Sequence, residues 1–168
     1  PKRIALICGA RRIEYGALDR AANRFANAVL ALGIGRGDKV AIMSRNLPEY
    51  VIAHFGNART GAVLVNTSPS CAPDELIAIL GGTRARLIIV EATFQAKIAE
   101  VIDRLPHLDH VVTTGEPARE GWTAFDDFLA GESDAAPKVP LSDADPYAMT
   151  FTGGTTGLPK GTTVSHRA

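Results

Sequence analysis

The sequence predicts a doubly wound α/β domain: a largely parallel sheet flanked by helices, with a small hairpin at its N-terminus. Three observations predict it. Short continuous apolar runs such as "RLIIV", residues 86–90, suit strands covered on both faces. Stretches with apolar residues at helical spacing alternate with those runs through residues 1–130. Glycine and proline punctuate the alternation where elements must stop.

The elements follow in order. "RIALIC" and "RRIEY" flank Gly9-Ala10, a two-residue turn with glycine first. Leu18, Ala21, Ala22, Phe25, Val29 and Leu32 recur at helical spacing, with Gly33 as the stop. "KVAIMS" is a short buried strand. Asn46 is expected to cap the next helix, with Pro48 in its first turn, Val51, Phe55 and Ala58 on one face, and Gly61 at its end. "AVLVN" is strand-like. "APDELIAIL" is a helix whose Pro73, Asp74 and Glu75 suit a first turn, closed by Gly81. After "RLIIV", a helix starting at Thr93 carries Phe94, Ile98, Val101, Ile102 and Leu105 as a core stripe. "HVVTT" is a further strand, and Thr123 to Leu129 a short helix with Phe125, Phe128 and Leu129 inward. Residues 131–145, rich in Pro, Ala, Ser and Asp, read as an exposed linker. Residues 146–168 read as strand, glycine-rich loop, strand and the start of a helix.

Composition narrows the function. The 168 residues suffice for one core, and 46% are apolar. Lys and Arg number 18, as do Asp and Glu, so no basic footprint points to nucleic acid. Cys8 and Cys71 are isolated thiols, which suits a reducing compartment. No apolar run reaches membrane-spanning length and the N-terminus shows no signal peptide, so a cytoplasmic location is expected.

The chemistry concentrates in "TFTGGTTGLPKG", Thr150 to Gly161. Gly153, Gly154 and Gly157 allow backbone N–H groups to converge on one bulky anion. Thr152, Thr155 and Thr156 add hydroxyls for phosphate oxygens or Mg2+. Pro159 stiffens the exit, and Lys160 brings a full charge. No carboxylate intrudes. The set suits a polyphosphate, although on composition alone a plain hairpin connection fits equally well. The spacing is not that of a Walker A loop, because Lys160 follows Pro159 and precedes Gly161.

The ordered string goes further. "FTGGTTGLPKG" closely resembles the phosphate-binding signature of the adenylate-forming enzymes (acyl-CoA synthetases, luciferases and peptide-synthetase adenylation domains), Y/F-T-S/T-G-T-T-G-x-P-K-G, at every position but one. Upstream, "IEYGALDRAANRFANAVLALGIGRGDKVAI" and "NARTGAVLVNTSPSCAPDELIAIL" are similar to that family's opening segments. The resemblance covers nearly the whole chain and corresponds to the opening third of such an enzyme. It implies a two-step ligation of the acyl-CoA synthetase type, in which a fatty or aryl acid is activated with ATP to an acyl-adenylate and passed to coenzyme A. It implies that residues 152–157 and Lys160 grip the nucleotide's phosphates, that Thr152 approaches Mg2+, and that Lys160 is the catalytic counter-charge. It also implies that the remaining catalytic groups lie downstream, so the chain is expected to be a fragment inactive on its own. The departure is Gly153, where the family carries Ser or Thr. That position leaves open a rival from another class: a non-catalytic α/β nucleotide-binding or interaction module with a vestigial loop. A homodimer is left open.

Other signals carry less. "GIGRGD" at 33–38 follows a helix and lacks dinucleotide-loop spacing, so it reads as a helix stop with a turn. His107 and His110 lack partner ligands for a metal. His54 is expected to be packed or hydrogen-bonded, and His166 matches a family position without an assigned role.

Overall fold

The computed structural model describes residues 2–152 and 160–167. The chain opens with a hairpin, β1 (Ile4–Cys8) and β2 (Arg11–Glu14), turned at Gly9 with φ +56°. The alternation then runs α1 (Tyr15–Ala31), β3 (Lys39–Met43), α2 (Pro48–Asn57), β4 (Val63–Asn66), α3 (Pro73–Thr83), β5 (Leu87–Val90) and α4 (Gln95–Val101). It continues with β6 (His110–Thr113), β7 (Thr123–Ala124), α5 (Phe125–Leu129), β8 (Pro146–Thr152) and β9 (Lys160–Ser165). The hairpin is a sheet of its own. The other strands form one seven-stranded sheet in the order β7-β6-β5-β3-β4-β8-β9. Every neighbouring pair in it is parallel except β8 with β9.

Side chains alternate across this sheet with period two, and both faces are buried. Val40, Ile42, Leu64, Leu87, Ile89 and Val112 pack with α1, α2 and α5. Ala41, Met43, Val65, Ile88, Val90 and Val111 pack with α3 and α4. Burying each Leu, Ile or Val of these layers stabilises the fold by roughly 1.5–3 kcal/mol. Helices on both faces of a mostly parallel sheet are the expected doubly wound class.

Local readings shift in several places, each for a physical reason. Leu47, not Asn46, occupies the N-cap of α2, at φ −99° and ψ 157°. Pro48 forces its predecessor into extended backbone and itself suits the first helical position. The buried face of α2 is Ile52, Ala53, Gly56 and Asn57, whereas Phe55 is 48% exposed. The small residues let α1 approach: a Cβ on Gly56 would lie 2.7 Å from the Phe25 ring and 2.8 Å from the Ala22 carbonyl oxygen. Helix α3 continues past Gly81 to Thr83, whose hydroxyl donates to the Ile79 carbonyl at 2.7 Å, and Arg84 caps it in the left-handed region at φ 55°. The helix expected from Thr93 is a 3-10 turn (Ala92–Phe94) leading into α4, followed by a second 3-10 turn at Ile102–Arg104. Thr123 and Ala124 are an edge strand on β6, so α5 begins at Phe125.

Within the 131–145 segment, residues 133–135 lie beside α1. The carbonyls of Ser133 and Ala135 accept from the Asn27 amide, and that of Asp134 from the Asn23 amide, at 2.7–3.1 Å. Among the described residues no helix is long and apolar enough to cross a membrane.

Candidate functional site

In a parallel sheet all strand C-termini share one edge, and ligands of open α/β sheets bind outside that edge. Here the edge is marked by Met43, Asn66, Val90 and Thr152, the last residues of β3, β4, β5 and β8. Two places along it differ in chemistry.

The first lies between β3 and β5. The chain leaves β3 for α2 on one face and β5 for α4 on the other, so a crevice opens between the two exits. An ion pair fills it. Glu91, whose side chain is 4% exposed, accepts from the Arg45 Nε and backbone N–H, both at 2.8 Å, and from the Thr93 hydroxyl at 3.0 Å. A second guanidinium nitrogen of Arg45 completes the fork. The same guanidinium lies over the Phe94 ring, 5.6 Å from its centroid. Chiefly through the Arg45 hydrogen bond, the Glu91 carboxyl is pulled down to about 2. Its lone pairs are used within the chain, and nothing is left over for a ligand.

The second place lies around β4, β8 and β9. Asn66 is level with Thr150 across the β4–β8 pair, so the chain leaving β4 at Thr67 emerges beside the end of β8. Thr152 pairs with Lys160 across β8 and β9. The structure therefore brings the two ends of the predicted phosphate loop together at the C-terminal edge, with Lys160 exposed to solvent. The candidates Gly153, Gly154, Thr155, Thr156 and Gly157 lie outside the described residues. Phe151 pairs with Gly161, and a Cβ there would lie 2.8 Å from the Phe151 ring. The glycine that ends the signature is thus explained by packing: the aromatic at the signature's start covers it.

The β4–α3 loop, residues 67–72, forms a neighbouring rim. The Thr67 hydroxyl and N–H both donate to the Ile42 carbonyl, at 2.8 and 3.0 Å. The exposed Ser68 and Ser70 hydroxyls bond each other at 2.7 Å. Lys97 of α4 donates to the carbonyls of Pro69 at 2.7 Å and Cys71 at 3.1 Å.

Polar links from α2 brace β8. The Tyr50 hydroxyl donates to the Asn66 side-chain oxygen at 2.8 Å, and the Asn66 amide reaches the Met149 carbonyl at 3.5 Å. The β8–β9 register slips between Pro146 and Ala148, a bulge that leaves Tyr147 unpaired and turns it towards α2. Its hydroxyl bonds the His54 Nε2, and its ring lies 5.1 Å from that of His166. Burial lowers the His54 pKa and pushes the Tyr147 hydroxyl up to about 12. His54 is thus hydrogen-bonded, as expected of it. Arg45, Glu91, Lys97 and the bulge were not anticipated. A usable signal exists for the first two, since each follows closely on an apolar strand run whose ends must share an edge.

A cavity of about 330 Å3 opens at the opposite edge, lined in part by Lys39, Arg84, Arg86 and Asp109. Its Arg86 is already held by Asp109 at 3.2 Å, Asp38 at 3.5 Å and the Gly33 carbonyl at 2.9 Å.

Known proteins share this sequence pattern and fold. A 3-hydroxybenzoate–CoA ligase from Aromatoleum sp. (strain CIB) is 36% identical over 96% of this chain and 31% of its own length. A medium/long-chain-fatty-acid–CoA/3-oxocholest-4-en-26-oate–CoA ligase from Mycobacterium marinum is 29% identical over 99% of this chain and 32% of its own. The anthranilate CoA ligase AuaEII, solved with anthranoyl-AMP, superposes with a TM-score of 0.94 at 30% identity, covering 98% of this chain and 32% of that one. The chain thus spans about a third of the length of the relatives it matches. The description "AMP-binding enzyme" matches residues 1–168, and the chain belongs to that family.

Proposed function

We propose that this chain supplies the phosphate-binding part of an ATP-dependent acid–CoA ligase. One observation carries the reading: Thr152 and Lys160, which flank the glycine-rich stretch of the signature string, are paired at the C-terminal edge of the sheet. The ligase relatives support the reaction class. A carboxylate oxygen attacks the α-phosphorus of ATP, the bond to the bridging oxygen breaks, and pyrophosphate leaves. The thiol sulfur of coenzyme A then attacks the acyl carbon of the adenylate, and AMP leaves with the bonding pair. The first step drives one anion towards another, so donors and positive charge must offset the repulsion. Lys160 supplies the charge, and the backbone N–H groups and hydroxyls of residues 152–157 hold the departing phosphates. The all-donor chemistry of this set fits Mg·ATP. The Thr152 hydroxyl is the proposed ligand for Mg2+, which supplies further charge neutralisation. Fatty and aryl acids are the proposed substrates. Because the relatives are about three times as long, the 168-residue chain alone is proposed to form no adenylate.

The test is thioester formation by the longest polypeptide its gene encodes, with ATP, Mg2+, coenzyme A and a panel of aryl and fatty acids. ATP-dependent loss of free thiol with at least one acid is expected. A non-catalytic module with a vestigial loop, the reading that Gly153 favours, predicts no turnover with any acid.

A further inference from the structure

We infer that Lys97 is a positioning residue for polyphosphate binding, acting through the β4–α3 loop. The inference rests on the ligase reading for the identity of the ligand and on independent geometry for the role. Lys97 stands on α4, far along the chain from residues 67–72, yet its ammonium holds two carbonyls of that loop, those of Pro69 and Cys71. An ammonium carries three donors. Spending two on loop carbonyls ties down the middle of a turn whose other bonds to the rest of the chain lie at its ends: Thr67 to the Ile42 carbonyl, and the Ala72 N–H to Glu75 at 2.8 Å.

The register supplies the second half of the argument. Since Asn66 is level with Thr150, the loop leaves the sheet next to the strand that ends at Thr152. Cys71 of the loop, Phe94 just before α4 and Phe151 of β8 also pack against the same apolar cluster. Three segments thus meet on one face of the sheet, and Lys97 bonds the loop to α4 among them. What it sets in place are the Ser68 and Ser70 hydroxyls, exposed and oriented by their mutual bond at 2.7 Å. They stand at the same edge as Lys160. Hydroxyl donors at the exit of β4 and a cation at the start of β9, with β8 between them, suit the same ligand class, a nucleotide polyphosphate.

Three variants of the longest encoded polypeptide test this: wild type, Lys97→Met and Lys97→Arg. Two readouts are needed. Alkylation of Cys71, followed at peptide level by mass spectrometry and normalised to its thiolate fraction, which the Lys97 charge itself raises, reports the loop without reference to activity. Lys97→Met is expected to label about fivefold faster, a release of roughly one hydrogen bond's net worth. Steady-state kinetics report the ligand: Lys97→Met is expected to raise KM for ATP about tenfold with kcat within about twofold, the pattern of lost uniform binding. Lys97→Arg, which keeps the charge and donors, is expected to restore most of both. Unchanged labelling in Lys97→Met overturns the clamp. Faster labelling with unchanged KM overturns the link to polyphosphate. A fall in kcat with unchanged KM also overturns it. A wild type inert towards ATP with every acid overturns the ligase reading itself, which the Cys71 readout does not depend on.

Discussion

Gly56 and Gly161 each lie against a phenylalanine ring, yet the two contacts differ in kind. At Gly56 the space is closed by the Phe25 ring at 2.7 Å and by backbone, the Ala22 carbonyl oxygen at 2.8 Å. At Gly161 the close atoms belong to the Phe151 ring alone, at 2.8 and 3.0 Å. The first contact joins two helices in the core. The second joins two strands at an exposed edge, where β9 has mainly exposed residues. A contact with backbone fixes the scaffold, because neither partner can yield without moving a helix. A contact with a ring fixes only a hairpin, and the ring can turn. The rigid half carries the sheet, and the yielding half carries the proposed phosphate site.

The largest expected effect breaks the rigid half. Gly56→Ala should cost about 3 kcal/mol, the upper range for overpacking, because α1 and α2 must part. A melting temperature lowered by roughly 6–12 °C is the expected result for a chain of this size. A variant within about 1 °C of wild type would show that the helices have slack. Gly161→Ala should cost less, about 1 kcal/mol, because the Phe151 ring can swing aside. The hairpin it aims should suffer more than the fold: KM for ATP should rise at least as steeply as stability falls. A stability loss matching that of Gly56→Ala would erase the distinction between the two contacts.

Gly153→Ser sharpens the contrast from the ligand side. It adds a hydroxyl where the family carries one and removes backbone freedom worth about 0.5–1 kcal/mol. ATP affinity of the longest encoded polypeptide, measured by calorimetry, should tighten about two- to fivefold. Unchanged affinity would remove Gly153 as a handicap.

The rigid half was more legible in the sequence than the site. Runs such as "RLIIV" are short enough, and rich enough in β-branched residues, to suit strands buried on both faces, and Gly33 and Gly61 at φ +68° and +78° mark real ends of segments. The register of α2 was not legible from its large residues. Phe55 looks like core, but the α1–α2 crossing selects the smallest face, and a small face leaves no hydrophobic stripe to read. The Glu91–Arg45 pair joins positions 46 apart. Only the strand order makes them neighbours, and that order depends on which helices cross which face. The bulge at Tyr147 leaves no trace in a seven-residue strand of mixed polarity. The signature string, by contrast, marks the candidate site by the order of its residues, and the pairing of Phe151 with Gly161 supplies a packing reason for two of them.

The smallest expected effects concern acid, and they separate the brace under β8 from the plug between β3 and β5. Folding lowers the His54 pKa from its ordinary 6.5 through burial beside Tyr50 and Tyr147. Its contribution is complete above pH 6.5 and is lost as pH falls through the folded value. The rings against this group are Tyr50 and Phe55 on its own helix and Tyr147 of β8; behind Tyr147, at the same end of the β8–β9 pair, stand His166 and Asp145. Asp145 is itself held low, first by the Ser142 N–H, so it also favours the folded state until strongly acid pH. Glu91 is lowered from 4.5 to about 2, chiefly by Arg45, so its contribution is complete above pH 4.5 and fades towards pH 2. Melting temperature against pH should therefore fall in two stages, a shallow one below pH 6.5 and a steeper one below pH 4.5. His54→Gln should flatten the first stage and leave the second. Glu91→Gln should lower stability at neutral pH and flatten much of the second, with Asp145 supplying what remains. If His54→Gln left the first stage intact, the brace would not be what titrates there.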